Sequence, residues 1–333
     1  MSLNIIDDTE TVNLGLEKDG TYTKSKGGTE LMNEALHERV DNELLNKFHI
    51  IKSRVRESDD LNDDSKKNIL WLHDTWNDPE AKHLEDEDNR KKFSKLVFVS
   101  NYQLSTYNMG LGVPYSESIV LKNAIDPIAL SKNDKPSDQI RLIYHTTPHR
   151  GLNIVYAAVS KLAEMFGDKI HLDVYSSFEA YGWKERDKPF EGLFEDIRNH
   201  PNMTYHGFKS NAVVRRALIE SHIFAYPSIW PETSCIAAIE AMSAGLEVIC
   251  PNYAALPETT GGFARMYQWT ENMDDHANIF VNQLYGAINQ LIDKDDNLYR
   301  KLVIQKNWID NFYNWDLRSA EWTYMLEDML EEK

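Results

Sequence analysis

The stretch "PETSCIAAIEAMSAG", residues 231–245, holds two glutamates, Glu232 and Glu240, with seven residues between them. It is otherwise largely apolar. Pro231 and the pair Thr233–Ser234 precede the apolar run and Gly245 closes it, which is the punctuation of a helix with its start and stop. A helix N-terminus presents free backbone N–H groups and a partial positive charge, and phosphate is its natural ligand. Ser234, Cys235, Ala237 and Ala238 are small enough to leave that end open. At roughly 1.5 Å per residue, a helix running from Glu232 to Glu240 separates them by about 12 Å. A diphosphate with a sugar on one side and a ribose on the other has a comparable length, and carboxylates accept hydrogen bonds from hydroxyls. On the spacing alone a plainer reading stands level with this one. In it, Glu232 is a first-turn partner of the helix dipole and Glu240 faces solvent.

The flanking sequence supplies a context. Short apolar runs that stop at polar or small residues recur along the chain: "KFHIIKSRV" (47–55), "KNILWLHD" (67–74), "KLVFVSN" (95–101), "ESIVLKNAID" (117–126), "IRLIYH" (140–145), "IHLDVYS" (170–176), "MTYHG" (203–207), "HIFAYPS" (222–228) and "LEVICP" (246–251). "SLNII" near the start is a further strand candidate. Helical patterns alternate with several of them, among them 29–40, a helix opening at Gly151, and 211–220. Alternation of this kind predicts α/β units around parallel sheets. "PIALSKNDKPSDQ" (127–139) reads as a linker, which divides the chain into 1–130 and 131–333. The tail from about Ile279 is helical by pattern, and its last part, about 315–331, is expected to cross back to the first domain.

Composition narrows the function classes. The chain has 333 residues, 42% of them hydrophobic, which suits two ordinary domains and argues against global disorder. The formal net charge is −17, which opposes binding to a nucleic-acid backbone, although "KSRVR" (52–56) is a local basic edge. The acidic runs "ESDDLNDD" (57–64) and "EDED" (85–88) read as solvated loops or helix faces. The 2 cysteines, Cys235 and Cys250, lie in no metal-type spacing. No apolar run reaches the roughly 20 residues of a bilayer span, and no signal-peptide pattern is present, so a soluble cytoplasmic protein is expected.

In open α/β sheets ligands bind beyond the carboxyl ends of the strands. That rule selects His73 and Asp74, Ser100, Asn123, His145 to Arg150, Ser176, Gly207 to Lys209, and Pro227 to Ser234.

Residues 226–252, "YPSIWPETSCIAAIEAMSAGLEVICPN", resemble the signature segment of family-4 retaining glycosyltransferases of the GT-B architecture. In that signature a Pro–Ser strand end leads to the E-x7-E helix, an Ala–Gly turn and a short apolar strand. Glu247 departs from it by standing where a proline is common. The resemblance implies two facing Rossmann-like, doubly wound domains with a C-terminal helix crossing back. It implies that Glu232 contacts the transferred sugar, that Glu240 contacts the ribose, and that amides around Thr233, Ser234 and Cys235 hold sugar and phosphate. "TTPHRGL" (146–152) resembles the family's basic phosphate clamp, with Arg150 as donor. A further basic residue common earlier in that loop is replaced here by His145, Thr146 and Thr147. "YHGFKSNAVVRRAL" (205–218) resembles the loop bordering the nucleobase, around Phe208, with Lys209 as a second phosphate partner or a solvated turn residue. "KGGTEL" (26–31) resembles the Gly–Gly loop, in which Gly27 and Gly28 bring backbone N–H groups to the ligand. "VLKNAIDP" (120–127) and "NWDLRSAEWTYML" (314–326) resemble the stretch ending the first domain and the closing helix.

The implied activity moves a sugar from a nucleoside diphosphate donor, of UDP or GDP type, to a hydroxyl acceptor on a glycan. It does so with retention at the anomeric carbon, no metal and no cofactor. The leaving phosphate oxygen itself takes the acceptor proton. "LWLHDTW" (70–76) leaves alternatives open: His73 as a hydroxyl contact in the cleft, a His satisfied at a strand end, or His73 and Asp74 as ligands of a metal-dependent hydrolase. A non-catalytic nucleotide- or glycan-binding protein of the same fold is the other rival.

Overall fold

A computed structural model describes residues 27–63, 65–131 and 134–331; the "SLNII" candidate lies outside them. It contains two parallel sheets. The first is built from β1 (Phe48–Lys52), β2 (Lys67–Leu72), β3 (Lys95–Phe98) and β4 (Ser118–Val120), lying side by side in that order. The second has six strands: β5 (Ile140–Tyr144), β6 (Ile170–Val174), β7 (Met203–Tyr205), β8 (Ile223–Ala225), β9 (Glu247–Pro251) and β10 (Arg265–Tyr267). Their spatial order is β10-β9-β8-β5-β6-β7. The chain therefore runs outward from β5 to β7, then returns to the other side of β5 at β8. The crevice between the loops leaving β5 and β8 is the topological switch point, where ligands of such sheets sit.

The strands read as apolar runs because parallel strands are covered on both faces. Every residue of β8 and of β9 is buried. The three-residue β10 has no such run, since only Tyr267 of it is buried, and periodicity does not find it.

Helices cover both sheets. The first half carries α1 (Gly28–Arg39) and α2 (Asn101–Leu111). The second sheet is flanked by α3 (Leu152–Phe166), α4 (Glu191–Asn199), α5 (Asn211–Glu220), α6 (Ile236–Ser243), α7 (Met273–Ile292) and α8 (Asp296–Phe312). A last helix, α9 (Trp315–Glu331), packs its Trp315, Trp322, Met325, Leu326 and Met329 into the core under β1–β4, against Leu36 of α1 and Trp71 of β2. The Trp71 and Trp322 rings meet edge to face at 4.8 Å.

One close approach fixes the switch point. Gly151 opens α3 at φ +120°, and a Cβ there would lie 2.4 Å from the carbonyl oxygen of Pro227. Only glycine lets the loop after β5 lie this close to the end of β8.

Candidate functional site

A cavity of about 1300 Å³ opens between the two sheets. Its lining includes Gly27, Gly28, His73, Asp74, Asn123, Arg150, Phe208, Lys209, Glu232, Thr233, Ser234, Cys235 and Glu240, whereas Ser100, Ser176 and Pro227, also selected by the strand-end rule, do not line it.

The opening stretch folds differently from its simplest reading. The helix begins at Ile236, with Cys235 as its N-cap and no side-chain cap, rather than at Pro231. Thr233 does not cap it. Its hydroxyl donates to the carbonyl of His73 at 2.7 Å, and its own carbonyl accepts from the Ser100 hydroxyl at 2.6 Å. The 231–235 loop is thereby tied to the ends of β2 and β3. Glu232 lies before the helix, so a helical rise does not measure its separation from Glu240.

Neither glutamate is surface decoration; each is 5% exposed. Glu232 accepts from Arg150 Nη1 at 2.6 Å and from the Tyr226 hydroxyl. Glu240 accepts from Arg215 Nη1 at 2.8 Å and from the Asn211 amide at 3.2 Å. Glu247 is fully buried and gripped by Arg265 at 2.9 Å and Lys301 at 2.5 Å, away from the cavity.

Burial opposes the charge on Arg150, but Glu232 beside it outweighs that and holds the guanidinium firmly protonated. Arg150 also contacts the Tyr181 hydroxyl at 3.4 Å, and its Nε is buried without a partner among the described residues. The imidazoles around it are neutral near pH 7. Burial pushes His145 down to about 3. Burial, then Arg150 and Arg186, push His149 down to about 4. Burial also holds the Cys235 thiol protonated, reinforced by Glu232.

The wall contributed by the first sheet is less charged. Burial pushes His73 down to about 3, and its Nε2 has no partner among the described residues. Asp74 pairs with Arg54 Nε at 3.0 Å, and Arg54 also meets Asp78 at 2.8 Å and Glu80 at 3.3 Å. The "KSRVR" edge is thus neutralised by carboxylates, with Arg56 on Glu80 at 2.7 Å. Among the described residues no group of three His, Cys, Asp or Glu side chains comes together to hold a metal ion, and His73 and Asp74 gain no further ligand.

Gly27 precedes α1, and a Cβ there would lie 2.6 Å from the Tyr181 ring. The Gly–Gly loop thus meets a segment of the second half that sequence reasoning did not single out. Arg54, Asn211, Arg215, Tyr226, Tyr181 and Arg186 were likewise not selected. They come from strand ends, helix faces and the turns after β6, and only the tertiary fold brings them to the cavity or to its glutamates.

No curated protein sequence matches the chain. Among solved structures, a glycosyltransferase from Rickettsia africae ESF-5 aligns with TM-score 0.67 at 16% identity, over 100% of this chain and 85% of that one. The pneumococcal O-GlcNAc transferase GtfA, solved with UDP and GlcNAc, aligns with TM-score 0.62 at 12% identity, over 80% of this chain and 53% of that one. The chain therefore spans about half the length of that enzyme. HepE from Anabaena, solved with UDP and glucose, aligns with TM-score 0.60 at 14% identity, over 79% of this chain and 72% of that one. At these identities the likeness is one of fold. Among the described residues no helix is long and apolar enough to cross a membrane. Residues 130–275 match the model of glycosyl transferases group 1, and the chain as a whole has the GT-B fold of glycosyltransferases.

Proposed function

We propose that the protein is a retaining glycosyltransferase that moves a sugar from a UDP- or GDP-type donor to a hydroxyl of a glycan acceptor. The observation that carries this reading is the meeting of Arg150, Glu232, Glu240 and the start of α6 at the switch point of the second sheet, inside one cavity. The match of residues 130–275 to glycosyl transferases group 1 supports the reaction class, and the UDP and sugars present in the HepE and GtfA structures suit the donor class.

In this proposal residues 131–333 hold the donor, and residues 1–130, with α9 packed on them, face the acceptor. Arg150 donates to the diphosphate, as a guanidinium fork does well. Amides of Ser234, Cys235 and the first turn of α6 add donors. Glu232 accepts from hydroxyls of the transferred sugar, Glu240 from the ribose, and the backbone around Phe208 borders the base. Gly27 and Gly28 bring amides to the donor from the opposite wall. His73, a neutral imidazole, contacts a hydroxyl. The bond from the anomeric carbon to the phosphate oxygen breaks, and the acceptor oxygen bonds to that carbon on the same face. The acceptor proton passes to the departing phosphate oxygen. Charge that separates in this step is met by groups already in place. No metal or other cofactor has a role in it, and a soluble cytoplasmic setting belongs to the same reading.

The test is a panel of UDP-, GDP- and ADP-sugars with release of nucleoside diphosphate as the readout. Turnover with at least one donor is expected, with strong losses in folded Glu232→Gln and Arg150→Ala proteins. Variants that match wild type overturn the roles assigned to those residues.

A further inference from the structure

Building on that reading, the diphosphate subsite is short of positive charge. Arg150 is the one cation of the loop after β5, and its guanidinium is already 2.6 Å from Glu232. The two imidazoles of that loop, His145 and His149, are uncharged near neutral pH. A nucleoside diphosphate brings more than one negative charge, so this shared guanidinium alone leaves it poorly matched, with Lys209 on the loop after β7 as a further cation lining the cavity.

The segment after β6 supplies the missing charge. It runs through two short turns, Phe178–Tyr181 and Lys184–Phe190, and lines the same cavity with Phe178, Tyr181, Trp183 and Arg186. Its base is pinned. Buried Asp187 accepts from the Ser177 hydroxyl at 2.5 Å and from the Phe178 amide at 2.8 Å. Its outer part is open: Trp183 is 46% exposed. The Arg186 guanidinium lies 4.2 Å from the Trp183 ring and forms no ion pair among the described residues. Arg150 and Arg186 line the same cavity from separate loops, with His149, whose charge both oppose, lining it too.

We propose that Arg186 is a donor-binding residue that grips the diphosphate together with Arg150, its guanidinium held flat by the Trp183 ring. A guanidinium stacked on an aromatic face keeps its edge N–H groups free for a bidentate contact with phosphate.

The experiment is calorimetric titration of wild type, Arg186→Ala and Arg186→Lys with UDP, GDP and ADP, and with the matching nucleosides. For the nucleotide that wild type binds, Arg186→Ala is expected to weaken diphosphate binding by about tenfold or more. Binding of the nucleoside is expected to stay unchanged, and Arg186→Lys to recover part of the loss. Equal diphosphate affinity in Arg186→Ala and wild type overturns the proposal. So does a parallel loss for the nucleoside, which marks a packing role instead. If wild type binds none of the three diphosphates, the donor-binding reading beneath the proposal falls with it.

Discussion

The two sheets finish their strands differently. In the second, the path reverses between β5 and β8, so the loops leaving those strands part and open a crevice. In the first, the described strands follow one another from β1 to β4, and their ends form a continuous rim. The charges follow this geometry. At the reversal Arg150 and Glu232 face each other at 2.6 Å, largely removed from water. On the rim Arg54, among the described residues the only arginine there that lines the cavity, is occupied by Asp74, Asp78 and Glu80. The rim's other contributions are neutral: the His73 carbonyl, the Ser100 hydroxyl and a deprotonated imidazole. One sheet concentrates buried charge where its topology opens, and the other provides a mild wall to close against.

The sharpest way to break this contrast is a pair of carboxylate substitutions, one on each side. Glu232→Gln should lower sugar transfer by about a hundredfold or more, the scale of losing one preorganised polar contact to a developing charge. Asp74→Asn on the rim should cost less than about tenfold, because Arg54 keeps Asp78 and Glu80. Equal losses in steady-state rates would erase the distinction between crevice and rim. A third carboxylate controls for burial alone. Glu247→Gln leaves Arg265 and Lys301 facing an uncharged group in the core, a loss of about 3 kcal/mol by the usual scale for half-broken buried pairs. Chemical denaturation should register that loss while nucleotide binding stays intact.

A smaller effect reports on how the two halves hold together. Glu258 accepts from the backbone N–H groups of Asn101 at 3.0 Å and Tyr102 at 2.9 Å, at the start of α2, and pairs with Lys122. Glu258→Gln should cost about 1–2 kcal/mol. The expected signature in thermal unfolding is a split into two transitions; a single transition at the wild-type temperature would remove Glu258 from the contacts that hold the halves together.

Much of this architecture was legible from residues 140–251. There each buried strand is an apolar run with a polar stop, and 211–220 reads as a helix with the bounds it has. The first-half strands were found too, though each ends sooner than its apolar run, as at β3, where the run continues through Ser100 into the start of α2. What stayed illegible is what the tertiary fold alone decides. Thr233 looks like a helix cap, since Ser and Thr before an apolar run usually are. It is drawn away by the His73 carbonyl, 160 residues distant in sequence. Arg215 reads as one more charged helix residue until Glu240 is placed opposite it. Arg186 sits in a polar stretch with no periodicity at all, so no local pattern pointed to it. The reversal of strand order is likewise invisible in a string of similar βα units.

The least effect, and the most telling for the comparison, is pH dependence. His73 on the rim and His145 and His149 at the crevice are held neutral by burial, at about 3, 3 and 4. Unfolded, each has an ordinary value of about 6.5. Below that, the unfolded chain takes up protons that the fold refuses. The stability these groups contribute is therefore complete above about pH 6.5 and falls as the pH is lowered toward 4. Melting temperatures across that window should decline in wild type. Two of the three imidazoles belong to the loop after β5, so His145→Asn/His149→Asn should flatten the decline more than His73→Asn. A steeper flattening by His73→Asn would mean that the rim, not the crevice, is the drier of the two walls.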